Sequence, residues 1–200
     1  MTIDMRIPIH EINNKSIYIC GVDVARTGKD ETAIVILEQM AFDENIFIKS
    51  IETLHTPDLT MAIGRVQYLD SIFHFKKIIV DETGLGAGVS DALKNKMKGR
   101  VEGIWYTNKS KNALFLNLKL LMSRANRKLY IPDYSVSQDS MVRKMFYQFL
   151  SIKQEVSDKS DNLRITHEER EHDDIINALA LAASYFNILK KRRIYPLLGV

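Results

Sequence analysis

The chain of 200 residues has a single cysteine, Cys20, and only four prolines and one tryptophan. One thiol excludes an internal disulfide framework and any zinc site built from several cysteines, and it suits a reducing compartment. No apolar run approaches the ~20 residues that span a bilayer, and the N-terminal MTIDMRIPIHE carries acids where a signal peptide has its apolar stretch, so membrane and secreted readings fall away. Low-complexity tracts, internal repeats and linkers long enough to divide two domains are also missing. At 46% hydrophobic and 26% charged residues, the composition is that of one folded α/β unit.

Charge of either sign is nearly balanced, at 28 basic and 25 acidic residues, but it is unevenly placed. Residues 94–128 hold ten Lys and Arg against Glu102 alone, which leaves 18 basic and 24 acidic side chains for the rest. A cationic middle segment on an otherwise acidic chain suits a polyanion partner, although Lys-rich helix faces also occur simply as solvated surface. The tail basic run Lys190–Arg193 either grips a polyanion or protein partner or reflects the preference of a helix C-terminus for cations.

Periodicity gives the order of elements. Apolar, β-branched runs at Ser16–Asp23, Thr32–Glu38 and Ile46–Thr53, joined by short polar turns, predict three antiparallel strands. A helix is expected from Pro57 to Phe73, then a buried strand Lys77–Asp81. The turn Gly84-x-Gly86-x-Gly88 leads into a helix ending at Lys98, a strand Val101–Tyr106 and a long helix from Ser110 to Lys128. A short strand Leu129–Pro132, a helix Val136–Leu150, a weak strand Leu163–Thr166 and a closing helix His172–Lys190 complete the chain. The glycine-rich turn lacks dinucleotide-motif spacing and reads as a tight strand-to-helix connection. Trp105 and Tyr106 read as core, with stacking on a nucleotide as the alternative. Met141 and Met145 read as helix packing.

Acids recur at comparable places. Asp23 ends the first strand, Asp81 ends the fourth, and Asp173 with Asp174 opens the last helix. Strand ends deliver side chains to the crevice at the margin of an α/β sheet, and a helix start tolerates clustered carboxylates. Each acid alone is explained as a turn or cap residue. Together, like charges brought within a few ångströms call for a divalent cation, and oxygen-only ligands suit Mg²⁺ or Mn²⁺. No serine or cysteine is placed beside a histidine for covalent catalysis.

The order GVDVARTGKDETAIVIL, IIVDETGLGAGVSDAL, HDDIINALALA resembles the nuclease domain of the large terminase subunit of tailed bacteriophages, of the RNase H-like superfamily. The resemblance implies an α/β fold with a mixed sheet, three antiparallel strands followed by parallel ones, flanked by helices. It implies a single nuclease domain over 1–200, with 1–15 as lead-in and 190–200 as tail. The metal ligands it implies are Asp23, Asp81, Asp173 and Asp174, with Asp30 as an additional acid. Asp23 would bridge two Mg²⁺ or Mn²⁺ ions, Asp81 would hold one, and Asp173 or Asp174 the other. Asp173 lies nearer the helix's apolar stripe and is the first choice within the pair; His172 contacts the scissile phosphate or merely stacks at the helix entrance.

The implied activity is metal-dependent endonucleolytic cutting of duplex, concatemeric viral DNA during genome packaging, in the cytoplasm of the infected host. The terminase ATPase domain, small terminase subunit and portal would be partners, with no membrane. Lys109, Lys111, Arg124 and Lys128 would grip DNA phosphates, giving salt-sensitive, sequence-tolerant binding. A phosphate loop is missing, since Thr27-Gly28-Lys29-Asp30 fails at both ends of that motif, so the motor is not in this chain and an excised domain is expected. A junction resolvase or RNase H of the same superfamily, and a non-catalytic module that docks nucleic acid or packaging proteins, are the alternatives. The second phosphate-binding strand-Gly-turn pair that an acetate-kinase or actin-like phosphotransferase requires is not evident in this sequence.

Overall fold

The computed structural model describes residues 12–25, 31–126, 128–132, 139–156, 163–167 and 173–187. Three strands, β1 (Ile17–Asp23), β2 (Thr32–Gln39) and β3 (Ile46–Leu54), run antiparallel in a meander. Helix α1 (Leu59–Phe73) carries the chain back to β4 (Lys77–Asp81), which pairs parallel with β1. Helix α2 (Gly86–Lys96) then leads to β5 (Val101–Ile104), parallel to β4. Helix α3 (Asn108–Met122) precedes the two-residue β6 (Leu129–Tyr130), parallel to β3. The sheet order is β5-β4-β1-β2-β3-β6. The mixed sheet expected from the sequence is the one found.

Alternation along the strands builds two apolar layers. Ile19, Val35, Leu37 and Ile79 face α3, helix α4 (Ser140–Ser151) and helix α5 (Asp174–Ala183). Cys20, Val22, Ile34, Ile36, Ile78 and Val80 face α1 and α2. Helix α5 is buried from Ile175 to Ala183, and its alanines let it lie close against β1. A Cβ on Gly21 would come within 2.0 Å of the Ala178 carbonyl oxygen. That approach needs glycine.

Local chemistry sets the helix starts. Asp58 accepts from the Thr60 amide at 2.8 Å, Asp139 accepts from Met141 at 2.7 Å, and Thr107 with Ser110 forms a capping box on α3. Helix α5 differs, because its first amides are satisfied from outside: the buried Gln148 of α4 accepts from Ile175 at 3.0 Å and Ile176 at 3.3 Å. Asp173, at the N-cap position, makes no capping bond and is left for other use.

Several boundaries depart from the expectation, and one strand is not expected at all. Helix α3 stops at Met122 rather than Lys128, because the Ser123 hydroxyl and the Asn126 carboxamide both donate to the Leu120 carbonyl and turn the chain out. Strand β5 ends at Ile104, which leaves Trp105 outside the sheet and exposed rather than in the core. Helix α5 closes at Ala183, followed by a 3-10 turn at Ser184–Phe186. Strand β7 (Ile152–Val156) continues directly from α4 and pairs with β8 (Leu163–His167) as a separate hairpin. No glycine or proline marks that change of element in the sequence.

Candidate metal centre

The C-terminal ends of β1 and β4 lie side by side, with Val22 opposite Val80, so each strand delivers its terminal aspartate to one margin of the sheet. Asp23 and Asp81 are both buried. The start of α5 packs over that margin and adds Asp173, also buried, and the half-buried Asp174. Four carboxylates separated by up to 151 positions in the sequence thus share one end of the fold.

Asn177 ties them together. Its carboxamide nitrogen donates at 3.0 Å to Asp23 Oδ2 and at 3.0 Å to Asp173 Oδ1. The other oxygen of Asp173, Oδ2, accepts from Lys111 Nζ at 2.7 Å. The Lys111 ammonium also stands 5.9 Å from the Tyr106 ring centre and 5.7 Å from that of Phe115, an aromatic cradle that stabilises a cation there. Asp174 Oδ2 accepts from the Glu31 amide at 3.4 Å. Asp81 Oδ1 accepts from the Thr83 amide at 2.9 Å, and the Thr83 hydroxyl accepts from the Tyr106 amide at 2.9 Å. The Gly84 turn that follows runs at φ +62°, and a Cβ on Gly86 would come within 1.9 Å of the Asp81 carbonyl oxygen.

Burial pushes the Asp23 carboxyl well above its ordinary range. Asp81, Asp174 and Asp173 push it further, and the Asn177 hydrogen bond opposes them. Such a group is short of positive charge. Among the described residues, no three histidine, cysteine or acidic side chains already close on a point that would hold an ion; Asn177 and Lys111 stand between carboxylates and set their present spacing. The donor chemistry nevertheless fits a hard divalent cation. The ligands are all oxygen, and Mg²⁺ in particular is held by one or two carboxylates while keeping several of its waters.

The remaining candidates are placed as follows. Lys109 is exposed at the start of α3, whereas Lys111, two residues on, turns to the acids. Arg124 lies in the turn after α3, and Lys128 lies beyond the helix and pairs with Glu44. The four cations therefore do not form one helix face. Asp30, His172 and the Lys190–Arg193 run lie outside the described residues. A cleft of about 840 Å³ lined by Tyr18, Phe75, Lys76, Lys77, Arg100 and Tyr185 sits at the opposite ends of β1 and β4, away from the acids.

No protein-family model and no curated protein matches the sequence. Solved structures do match. The large terminase nuclease from thermophilic phage G20c superposes with a TM-score of 0.66 at 19% identity, over 86% of this chain and 84% of that one. The chain has the fold of a large terminase nuclease. The nuclease domain of the large terminase subunit of bacterial virus Sf6, as a mutant with manganese and β-thujaplicinol, gives 0.63 at 12% identity over 86% and 89%. The HK97 bacteriophage large terminase gives 0.59 at 12% identity, over 87% of this chain and 40% of that longer one. Sequence pattern alone does not mark how the parts of this site that are not acids are arranged. Asn177 is hidden in an apolar helix, although it is the sole polar residue of IINALALAA, and the basic segment that marks Lys111 as a candidate phosphate contact does not signal its pairing with Asp173.

Proposed function

We propose that the chain is a metal-dependent endonuclease that hydrolyses phosphodiester bonds of DNA, cutting concatemeric viral DNA during packaging beside an ATPase domain, small terminase subunit and portal. The observation that carries this reading is the meeting of Asp23, Asp81, Asp173 and Asp174 at one margin of the sheet, with Asn177 joining Asp23 to Asp173. The terminase nuclease fold and the manganese in the Sf6 structure support it.

Asp23 is the centre of the constellation, and Asp81 and Asp174 are the carboxylates assigned to hold metal with it. Asp173, whose Oδ1 accepts from Asn177 and Oδ2 from Lys111, shares that role with Asp174 and also ties the site to α3. Divalent ions, when bound, supply an activated water and neutralise charge on the phosphate during in-line displacement. The chain's own residues do the rest. Asn177 fixes the rotamer of Asp23, the Thr83 amide fixes that of Asp81, and Lys111 keeps positive charge where a phosphate would approach. Lys109, exposed at the rim, contributes to backbone binding.

Supercoiled plasmid incubated with Mn²⁺, Mg²⁺ or EDTA tests the reading. Nicking and linearisation are expected with either metal and not with EDTA, and Asp81→Asn should lose them. Cutting that survives EDTA, an Asp81→Asn variant that cuts at the unaltered rate, or an unaltered chain that never cuts would overturn it.

A further inference from the structure

Trp105 is 59% exposed, an unusual place for the chain's sole tryptophan, and it stands immediately after Ile104, the register partner of Asp81. The backbone that carries it is pinned on three consecutive residues. The Trp105 carbonyl accepts from the Ser110 hydroxyl at 2.8 Å, the Tyr106 amide donates to Thr83 Oγ1, and the Thr107 amide donates to Ser110 Oγ at 2.8 Å. The Thr83 link runs on to Asp81 itself, so Trp105 is held in fixed relation to a carboxylate of the site. Leu85, 49% exposed in the turn after β4, adds a second apolar residue at the same end of the sheet. Four residues on, Lys109 is exposed in the first turn of α3, the exposed cation next to Trp105 along the chain.

An exposed indole on a rigid backbone, four residues before the exposed Lys109 and linked through Thr83 to a carboxylate assigned to hold metal, is suited to a flat, polyanion-borne partner. Aromatic side chains beside cationic grooves stack on nucleic-acid bases without regard to sequence. In an intact duplex those base faces are covered by their neighbours, so such a residue meets a base only where the helix is opened or single-stranded.

We propose that Trp105 stacks on an unpaired base next to the bond being cut, and that the site therefore prefers single-stranded or locally opened DNA to intact duplex. The inference rests on the nuclease reading and narrows its substrate.

Because no other tryptophan is present, indole emission reports on Trp105 alone. Fluorescein-labelled single strand, a duplex with a short mismatch bubble and the matched duplex would be titrated in EDTA, with anisotropy giving binding and indole emission read in parallel. The expected result is altered emission on binding single strand and bubble. Trp105→Ala should weaken both by about tenfold, Trp105→Phe should retain most of the affinity, and matched duplex should bind more weakly and respond little. Emission that stays constant at saturating single strand, or equal affinity of the unaltered chain for bubble and matched duplex, would overturn the proposal. Plasmid cutting with Mn²⁺ separates the two failures: a chain that cuts while its indole stays silent refutes base stacking alone, and a chain that neither binds nor cuts refutes both readings.

Discussion

Lys111 Nζ and Asp173 Oδ2 stand 2.7 Å apart, with side chains only 23% and 12% exposed, so the acid cluster is answered in part by a cation the chain itself supplies. The pair links the first turn of α3 to the start of α5, across 62 positions of sequence. Its removal leaves a buried carboxylate beside three others. Lys111→Met should therefore destabilise the metal-free chain by about 1–3 kcal/mol. Because a bound cation replaces part of the lost charge, Mn²⁺ should raise the melting temperature of Lys111→Met by more than that of the unaltered chain. Differential scanning fluorimetry with and without Mn²⁺ reads both effects, and equal metal-induced shifts would show that Lys111 does not share the field of the site.

Asn177 does through a neutral amide what Lys111 does through charge. One nitrogen serves two carboxylates, at 3.0 Å each, so a carboxylate at 177 would convert two attractive contacts into repulsion. Asn177→Asp should cost about 1–3 kcal/mol at neutral pH without metal and recover much of that loss when Mn²⁺ is added. Asn177→Leu, which keeps the helix and removes the donor, should fold yet cut poorly, because Asp23 and Asp173 lose their shared restraint. Urea denaturation paired with plasmid cutting distinguishes the two variants.

The contrast between Asn177 and Asp23 shows what the sequence made legible. Strand ends are marked by composition, so Asp23 and Asp81 stand out as acids closing apolar runs, and the antiparallel-then-parallel sheet follows from short turns giving way to helical crossovers. A polar residue at one position of a buried helix carries no comparable mark, because whether it is a packing defect or a ligand-holding device depends on what faces it. The same holds for Lys111. Its place in a basic segment suggests a phosphate contact, and only the packing of α3 against α5 turns it toward Asp173. Trp105 was misjudged for a different reason: strand β5 ends two residues earlier than its apolar character implies, which puts the indole outside the sheet.

Asp23 is held against the preference of its own chemistry, buried and surrounded by Asp81, Asp174 and Asp173. Sites that hold such repulsion trade stability for function. Asp23→Asn should make the metal-free chain more stable, by about 0.5–2 kcal/mol, because an amide is cheaper to bury and its oxygen still accepts from Asn177. The same variant should lose plasmid cutting. Chemical denaturation in EDTA checks the first outcome, and a destabilised Asp23→Asn would mean that the carboxylate is a structural partner rather than a strained one.

Gly21 fixes how near α5 comes to β1, and so where the acids of the two elements meet. A Cβ there would lie 2.0 Å from the Ala178 carbonyl oxygen and 2.6 Å from the Ala182 amide nitrogen, both backbone atoms that no rotamer change can move aside. Gly21→Ala must therefore push the helix off the strand, at a cost of about 1–3 kcal/mol for overpacking. The displacement acts two residues from Asp23 and within one turn of Asn177, which Ala178 directly follows, so the Asn177 bridge between β1 and α5 should break even in molecules that remain folded. Cutting is expected to fall further than the folded fraction does. Circular dichroism melts, combined with plasmid cutting well below the melting temperature, would test this; activity that merely tracks the folded fraction would show that the close approach of β1 and α5 serves stability alone.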